Sequence, residues 1–298
     1  MLREVPLPWV GHLIELASLI LFGWCWVEAR AERRGAQVEL LVAVFYGWLL
    51  ETLDMWIFGT YHYGPMTWWW AGHVPVYIPL LWATIVHASM ALSDRSGLPL
   101  WARPFLDGLL AVLVDLAIDA IAIRLGLWRW KIPLNEGWFG VPAGNLCAWM
   151  WVAAWYGGMT RLVRGRITLR GEPRWHRALV PLFAYTGLFC SLFIIGAAGQ
   201  LLGLTTHNQR LWIFAAHLLG FLTVVVFASR LQVSDPQRMS ILRGLTWNRW
   251  LMHASFFLLL WAGGVWRQMP PLIAVSLLSM LAEWSAQRWC VRRAVGGE

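Results

Sequence analysis

The sequence has few charged residues for its length. Asp, Glu, Lys and Arg make up 13% of its 298 residues, whereas 59% are hydrophobic and the mean hydropathy is +0.55. A soluble domain normally carries about 25% charged residues. The remaining charges fall in short blocks between apolar runs of about 20 residues, which is the length of a membrane-spanning helix. The sequence therefore predicts an all-α, polytopic membrane protein.

The sequence also lacks the motifs of most soluble enzymes. It has only four cysteines, which lie in or beside apolar runs at no metal-ligand spacing. His62 and His73 stand in loops without a spaced partner, so we expect no metal site. No glycine-rich phosphate loop, nucleophile elbow or dinucleotide fingerprint is present, and we expect no cofactor. The net charge of +8 comes from arginines in short loops, which favours anionic membrane lipid and not nucleic acid as a partner.

Nine apolar runs are long enough to cross a membrane. They are predicted at residues 8–29, 38–58, 74–92, 104–126, 141–159, 178–203, 211–231, 250–267 and 271–287. Merging the last two, which meet at Pro270-Pro271, would reduce the count to eight. Most of the 24 lysines and arginines fall in alternate segments on one side, which predicts an outside N-terminus and a cytoplasmic C-terminus. The expected location is the cytoplasmic membrane of a bacterium or archaeon.

The chain is predicted to form a single membrane domain over residues 1–298. An acid-rich first part, 1–159, precedes a basic cytoplasmic loop, 160–177, and an apolar second part, 178–298. The arginines near the first apolar run follow it, so this run is a retained helix and not a signal peptide. No internal repeat is visible, which counts against a transporter built from inverted repeats.

Four acidic residues lie inside predicted spans at similar depth. Glu51 and Asp54 are three residues apart on the second span, and Asp115 and Asp119 are four apart on the fourth, so each pair shares a helix face. At 1.5 Å per residue, all four lie roughly 6–16 Å below the outer surface. A charged residue at the centre of a membrane helix costs about 2.5–3.5 kcal/mol, and such residues mark functional sites. We expect the two pairs to face each other across one cavity, with Asn145 at a similar level.

A structural role for these acids is the alternative. Each of them would then pair with an arginine, a backbone group or water and hold helices together, with Arg124 as the obvious partner. Four acids at one level favour a functional role instead. Asp107 lies near the cytoplasmic end, close to Arg103, and we expect it to be structural.

Aromatic residues surround the acids in the sequence. The 24 tryptophans exceed what interfacial belts alone require. The group Trp68, Trp69 and Trp70 is typical of a belt. A second group follows the acids in the chain and is predicted to line the rim of the cavity: Tyr61, His62, Tyr63, Trp128 and Trp130.

Acids in a dry, aromatic cavity indicate a particular chemistry. Burial favours the protonated form of a carboxyl group, and a neutral acid beside an ionised one forms a general acid–base pair. Aromatic faces stabilise a nearby cation by about 0.5–2 kcal/mol each. Protonation of an isoprenoid double bond to a tertiary carbocation, followed by capture of water, would use all three features.

These residues also carry a family resemblance over about residues 45–155. Its pieces are FGTYHY (58–63) after Glu51, the Asp115–Asp119 pair, GLWRW (126–130), and WFGVP (138–142) before Asn145. Together they resemble the integral-membrane "carotenoid biosynthesis protein" family, which includes the bacterioruberin-pathway and γ-carotene hydratases. Ala120 departs from the proline that is usual there.

The resemblance implies a cofactor-independent carotenoid hydratase, a hydro-lyase that adds water to the terminal double bond of an acyclic carotenoid end. Asp119 or Asp115 would donate the proton, and Glu51 or Asp54 would orient or activate the water. Asn145 would hold that water. The remaining family-like aromatic residues, Tyr61, Tyr63, Trp128 and Trp130, would surround the cation.

The implied partners are a carotenoid or polyprenyl lipid and membrane lipid. A homo-oligomer, or a complex with other membrane enzymes of carotenoid synthesis, is also compatible with the sequence. Two other functions remain open. One is a non-catalytic membrane subunit that binds a carotenoid or polyprenyl lipid, and the other is a proton-coupled carrier that uses the acids as a relay.

Overall fold

Nine helices of 18 or more residues alternate in direction through the described part of the chain. A computed structural model describes residues 8–33, 35–64, 68–70, 74–171, 173–231 and 243–295. The long helices are α1 (Pro8–Glu32), α2 (Ala36–Ile57), α3 (Tyr77–Asp94), α4 (Arg103–Arg124), α5 (Ala143–Arg170), α6 (Val180–Leu201), α7 (His207–Ser229), α8 (Arg243–Ala262) and α10 (Pro271–Val295), with the four-residue α9 (Val265–Gln268) between the last two.

Four of these helical segments are long and apolar enough to cross a membrane. They are Trp9–Glu32, Ala36–Ile57, Arg174–Leu201 and His207–Ser229. Large apolar side chains lie exposed on them, as Phe193 and Trp212 do. The helical, membrane-type character that the sequence predicted is confirmed. The count of nine crossings and the orientation stay predictions.

Residues 160–177, predicted as a basic loop, are mostly helical. Helix α5 continues to Arg170 and ends at Gly171, whose positive φ of 64° is typical of a helix C-terminus. A 3-10 helix, Arg174–Leu179, then leads into α6. The extra turns of α5 are helical because Arg161 and Arg164 bind buried carboxylates on neighbouring helices. The loop prediction was wrong over residues 160–170 because it assigned these arginines to a loop beside membrane lipid.

Four short strands, which were not predicted, join loops at one end of the helices. Strand β1 (Tyr61–Tyr63) pairs antiparallel with β4 (Trp128–Trp130), and β2 (Trp69–Trp70) pairs with β3 (Val74–Pro75). Gly64 N donates to Leu127 O at 2.8 Å and extends the first pairing. A Cβ at Gly64 would clash with Gly126 O, so only glycine permits this approach. We call this end of the helices the strand end.

A buried cluster of ion pairs joins the four helices α2, α3, α4 and α5 at the end opposite the strand end. Arg161 Nη1 binds Asp107 Oδ2 at 2.5 Å and its Nε binds Asp94 Oδ1 at 2.7 Å. Arg164 bridges Asp94 at 3.0 Å and Glu39 at 2.9 Å. Asp107, which the sequence placed close to Arg103, is thus paired with Arg161. Buried charges persist only when they are paired and hydrogen-bonded, so these contacts fix how the four helices pack.

A second ion pair joins the C-terminal helices to the first part of the chain. Arg249 and Glu283 are both fully buried, with Arg249 Nη2 2.6 Å from Glu283 Oε2. Arg249 also donates to Ser89 Oγ at 2.9 Å and to Leu110 O at 2.7 Å. Helices α8 and α10 are therefore separate helices that pack against α3 and α4.

Replacing Arg161 by Met should destabilise the protein by about 3–5 kcal/mol, because it leaves buried Asp107 without its charged partner. The free energy of unfolding in detergent micelles measures this. Arg166→Met, an exposed position on the same helix, should change stability by only about 0.5 kcal/mol. Adding Asp107→Leu to Arg161→Met should recover much of the loss. Equal effects of Arg161→Met and Arg166→Met would contradict the role given to the cluster.

Candidate active site

A cavity of about 430 Å³ lies among α2 to α6 near the strand end, with contributions from α7 and α8. Its volume is typical of a site for a small organic ligand. Most of its walls are apolar, and three carboxyl groups line it, from Glu51, Asp54 and Asp119. The aromatic side chains around them are Tyr61, Tyr63, Trp82, Trp128, Trp130 and Trp149.

The carboxylate of Glu51 is held by three neutral donors. Its Oε2 accepts hydrogen bonds from the hydroxyls of Tyr61 and Tyr63, and its Oε1 accepts one from Trp82 Nε1 at 2.6 Å. The side chain is buried, with 7% exposure. Three donors on one carboxylate stabilise its negative charge in an apolar setting. The same contacts join α2, β1 and α3.

The carboxylate of Asp119 has a matching environment. Its Oδ1 accepts hydrogen bonds from Trp128 Nε1 and, at 3.1 Å, from Trp130 Nε1. Its Oδ2 accepts one from Asn145 Nδ2 at 2.5 Å. Asp119 is also buried, with 2% exposure. Asp119 and Glu51 therefore reach the same cavity from α4 and α2, each with three neutral N–H or O–H partners.

The pairing of β1 with β4 explains which aromatic residues reach the cavity. Successive side chains of a strand point to opposite faces, so Tyr61 and Tyr63 share a face, opposite Trp130 and Trp128 in the register. Ring centroids of Tyr61 and Trp130 are 4.7 Å apart. His62 lies on the other face and is exposed. The prediction that His62 lines the cavity is wrong because the strand was not foreseen; His73 lies outside the described residues.

The two other acids differ from Glu51 and Asp119. Asp115 is buried and does not line the cavity. Its Oδ2 accepts from Asn145 Nδ2 at 3.3 Å, and its Oδ1 has no hydrogen-bond partner in the described part of the chain. Asp54 lines the cavity and is partly buried. No side chain or backbone group among the described residues hydrogen-bonds to its carboxyl group.

Arg124 does not neutralise these acids. It donates from Nη1 to Ala120 O at 2.8 Å and Phe139 O at 2.7 Å, and from Nη2 to Leu134 O at 3.2 Å. These contacts shape the connection between α4 and α5. The structural alternative, in which Arg124 pairs with the acids, is not what the described residues show, because backbone carbonyls of that connection occupy the guanidinium.

Several residues of the cavity wall were not foreseen. Trp82 and Trp149 pack with ring centroids 4.2 Å apart, and Tyr185 and Phe189 enter from α6. Phe189 also stacks on Phe58, with centroids 6.2 Å apart. Aromatic residues on apolar helices are common in membrane proteins, so their sequence positions alone gave no signal.

Apolar helices of membrane length around a cavity that holds carboxylates among aromatic rings define a membrane-type protein with an acid-containing aromatic site. The chain belongs to the carotenoid biosynthesis protein family, whose model it matches over residues 10–208. No curated protein and no solved structure matches the chain.

The family match extends well beyond the motifs near the acids. It runs from α1 to the first residues of α7 and contains every acid and aromatic residue of the candidate site described above. Of the residues that line the cavity, it leaves out only Arg210, Ile213, Met252 and Phe256. Membership indicates a role in carotenoid biosynthesis.

Replacing Trp82 by Phe should lower stability by about 1–3 kcal/mol, because it removes a donor from a buried, charged acceptor. The melting temperature of the detergent-solubilised protein measures the loss. Trp212→Phe is the matched control, since Trp212 is 75% exposed on α7, and we expect little change. If both variants have the same melting temperature as the wild type, the hydrogen bond to Glu51 does not contribute to stability.

Proposed function

We propose that the protein is a carotenoid hydratase that adds water to the terminal double bond of an acyclic carotenoid end. The observation that carries this proposal is the pair of carboxylates, Glu51 and Asp119, held by neutral donors in one aromatic cavity. Neutral donors stabilise the carboxylates without cancelling their charge. Both carboxylates therefore remain able to stabilise a positive charge that develops on a bound hydrocarbon.

The reaction balances without an oxidant, reductant or cofactor. The π electrons of the double bond take a proton from an acid, which forms a new C–H bond and leaves a tertiary carbocation. A water oxygen attacks the cation, forms the C–O bond and gives one proton to a base. The donor recovers a proton from the base, so the net change is addition of one water.

The hydrogen bonds favour Asp54 as the proton donor. Glu51 and Asp119 are stabilised as anions by three donors each. Asp54 lines the cavity without such partners, so nothing favours its ionised form over its neutral one. The resemblance gave proton donation to Asp119 or Asp115, and Asp115 does not reach the cavity wall.

Glu51 is then the base that takes a proton from the attacking water. It lies three residues from Asp54 on the same face of α2, so the proton returns to the donor over a short path. Asn145 donates from Nδ2 to Asp119, and its Oδ1 remains available to accept a hydrogen bond from the water. Asp119 and the surrounding rings stabilise the carbocation, each ring by about 0.5–2 kcal/mol.

The proposed setting is a multi-pass protein of a bacterial or archaeal cytoplasmic membrane. All nine long helices would cross, with the strand end outside and the ion-pair cluster of Arg161 on the cytoplasmic side. The alternating helix directions and the arginine-rich opposite end support this orientation. The cavity would then open within the outer half of the membrane, where an apolar substrate is dissolved.

Asp54→Asn should lower hydration about a hundredfold or more, because a general acid contributes about 10²–10⁴-fold. Asp54→Glu should restore part of the activity. The measurement is the yield of products heavier by one water in cells that accumulate an acyclic carotenoid, determined by mass spectrometry at equal protein level in the membrane.

Glu136→Gln is the matched control for this experiment, because Glu136 lies in the connection between α4 and α5 but does not line the cavity. Full activity of Asp54→Asn would remove Asp54 as the donor. Pigment that co-purifies unchanged with the wild-type protein would favour the non-catalytic binder over the enzyme.

A cysteine placed at Arg129 should react with a membrane-impermeant thiol reagent in intact cells, because Arg129 lies on the exposed face of β4. A cysteine at Arg166, on the last turns of α5, should react only after permeabilisation. The measurement is mass-tag labelling in a background where exposed Cys190 is serine. The reverse pattern would invert the proposed orientation.

A further inference from the structure

One face of α6 forms a long wall of the cavity. Its lining residues run from Tyr185 to Gln200 at helical spacing, a distance of about 22 Å at 1.5 Å per residue. Leu188, Leu192 and Ile195 lie between these ends, and no charged residue of α6 lines the wall. A wall of this length and composition suits an extended hydrocarbon better than a compact ligand.

Helices α5 and α6 pack closely at one level and leave open space beside two glycines at another. At Gly187 of α6, a Cβ would clash with the ring of Trp155 on α5. Nearer the strand end, no atom lies within 4 Å of the position that a Cβ would take at Gly144 of α5 or at Gly196 of α6. Both of these glycines line the cavity and are exposed. The cavity wall therefore reaches the exposed surface at these two glycines, and we call the opening that they border the slot.

We propose that this slot, bordered by Gly144 and Gly196, takes the polyene chain of the substrate and that Gly196 determines whether a long chain fits. The proposal rests on the proposed function. The reactive end of the bound substrate lies at the carboxyl groups, and its conjugated chain runs along α6. The rest of the substrate extends out of the cavity between α5 and α6. A conjugated chain is straight and has no polar group, so it requires an apolar wall and an open end.

The arrangement also explains how a large ligand uses a small cavity. A volume of about 430 Å³ receives one end of a long carotenoid, while the rest stays in the surrounding apolar phase. The absence of a side chain at Gly196 keeps the passage open, and a branched side chain there would project into it. The length of substrate that fits is therefore determined at α6 and not at the carboxyl groups.

Gly196→Leu in the full chain tests the proposal, with Gly220→Leu as the control. Gly220 lies exposed on α7, with no atom within 4 Å of a Cβ position, and does not line the cavity. The first readout is polyene retained per protein, measured by visible absorbance after purification from cells that accumulate an acyclic C40 polyene. The second is hydration of a short isoprenoid alcohol with the same acyclic end.

Gly196→Leu should retain about tenfold less polyene than the wild type or Gly220→Leu, since the added side chain overfills the slot. Hydration of the short substrate should fall less than polyene retention, because the short substrate does not extend along α6 to the slot. Retention at the wild-type level in Gly196→Leu, or an equal loss in Gly220→Leu, would overturn the proposal. Equal melting temperatures of the two variants show that folding is not the cause of a difference.

The two readouts separate failure of the slot from failure of the hydratase. A wild-type protein that hydrates the short substrate but retains no polyene overturns the slot and leaves the enzyme in place. A wild-type protein that hydrates neither substrate, yet retains polyene that Gly196→Leu loses, refutes the hydratase and supports the slot.

Discussion

A buried carboxylate is costly unless it is hydrogen-bonded, and the structure supplies hydrogen-bond partners to its acids in two different ways. At the end opposite the strands, guanidinium groups such as that of Arg161 bind the acids directly. At the strand end, indole N–H, phenol O–H and amide N–H groups do so, as at Glu51 and Asp119. The first solution holds helices together, whereas the second leaves charge available to a ligand. The division between the ion-paired structural acids and the acids of the candidate site follows this difference in partner.

The helices were largely predictable because their apolar runs have membrane length and are separated by charged blocks. Each of the nine runs corresponds to one long helix. The end of α5 was not predictable, because arginines on a helix have the same sequence signature whether they face water or a buried carboxylate. Strands β1 and β4 were missed because three residues give no usable periodicity, and their partners lie more than 60 residues apart.

The acids of the candidate site were predictable from the cost of placing them in a membrane helix, and Glu51, Asp54 and Asp119 do line one cavity. Asn145 was predicted beside these acids because it lies at a similar depth in its own span. The error at His62 came from strand alternation, which reverses the direction of every second side chain. The hydrogen-bond partners of the charged side chains were the hardest to predict. The groups that accept hydrogen bonds from Arg124, for example, depend on how the α4–α5 connection folds. The contribution of α6 carries no sequence signal, since it consists of apolar and small residues.

The neutral character of the donors around Glu51 and Asp119 has an electrical consequence. Arg210, near the start of α7, is the one basic residue among those that line the cavity in the described part of the chain. Beside the acids, the hydrogen-bond partners are therefore neutral groups, and no ion pair joins Arg210 to them in the described part of the chain. In the proposed hydration, a short-lived cation on a hydrocarbon would form next to these carboxyl groups. A hydrated inorganic cation would first have to lose its water at the apolar walls to reach the same place.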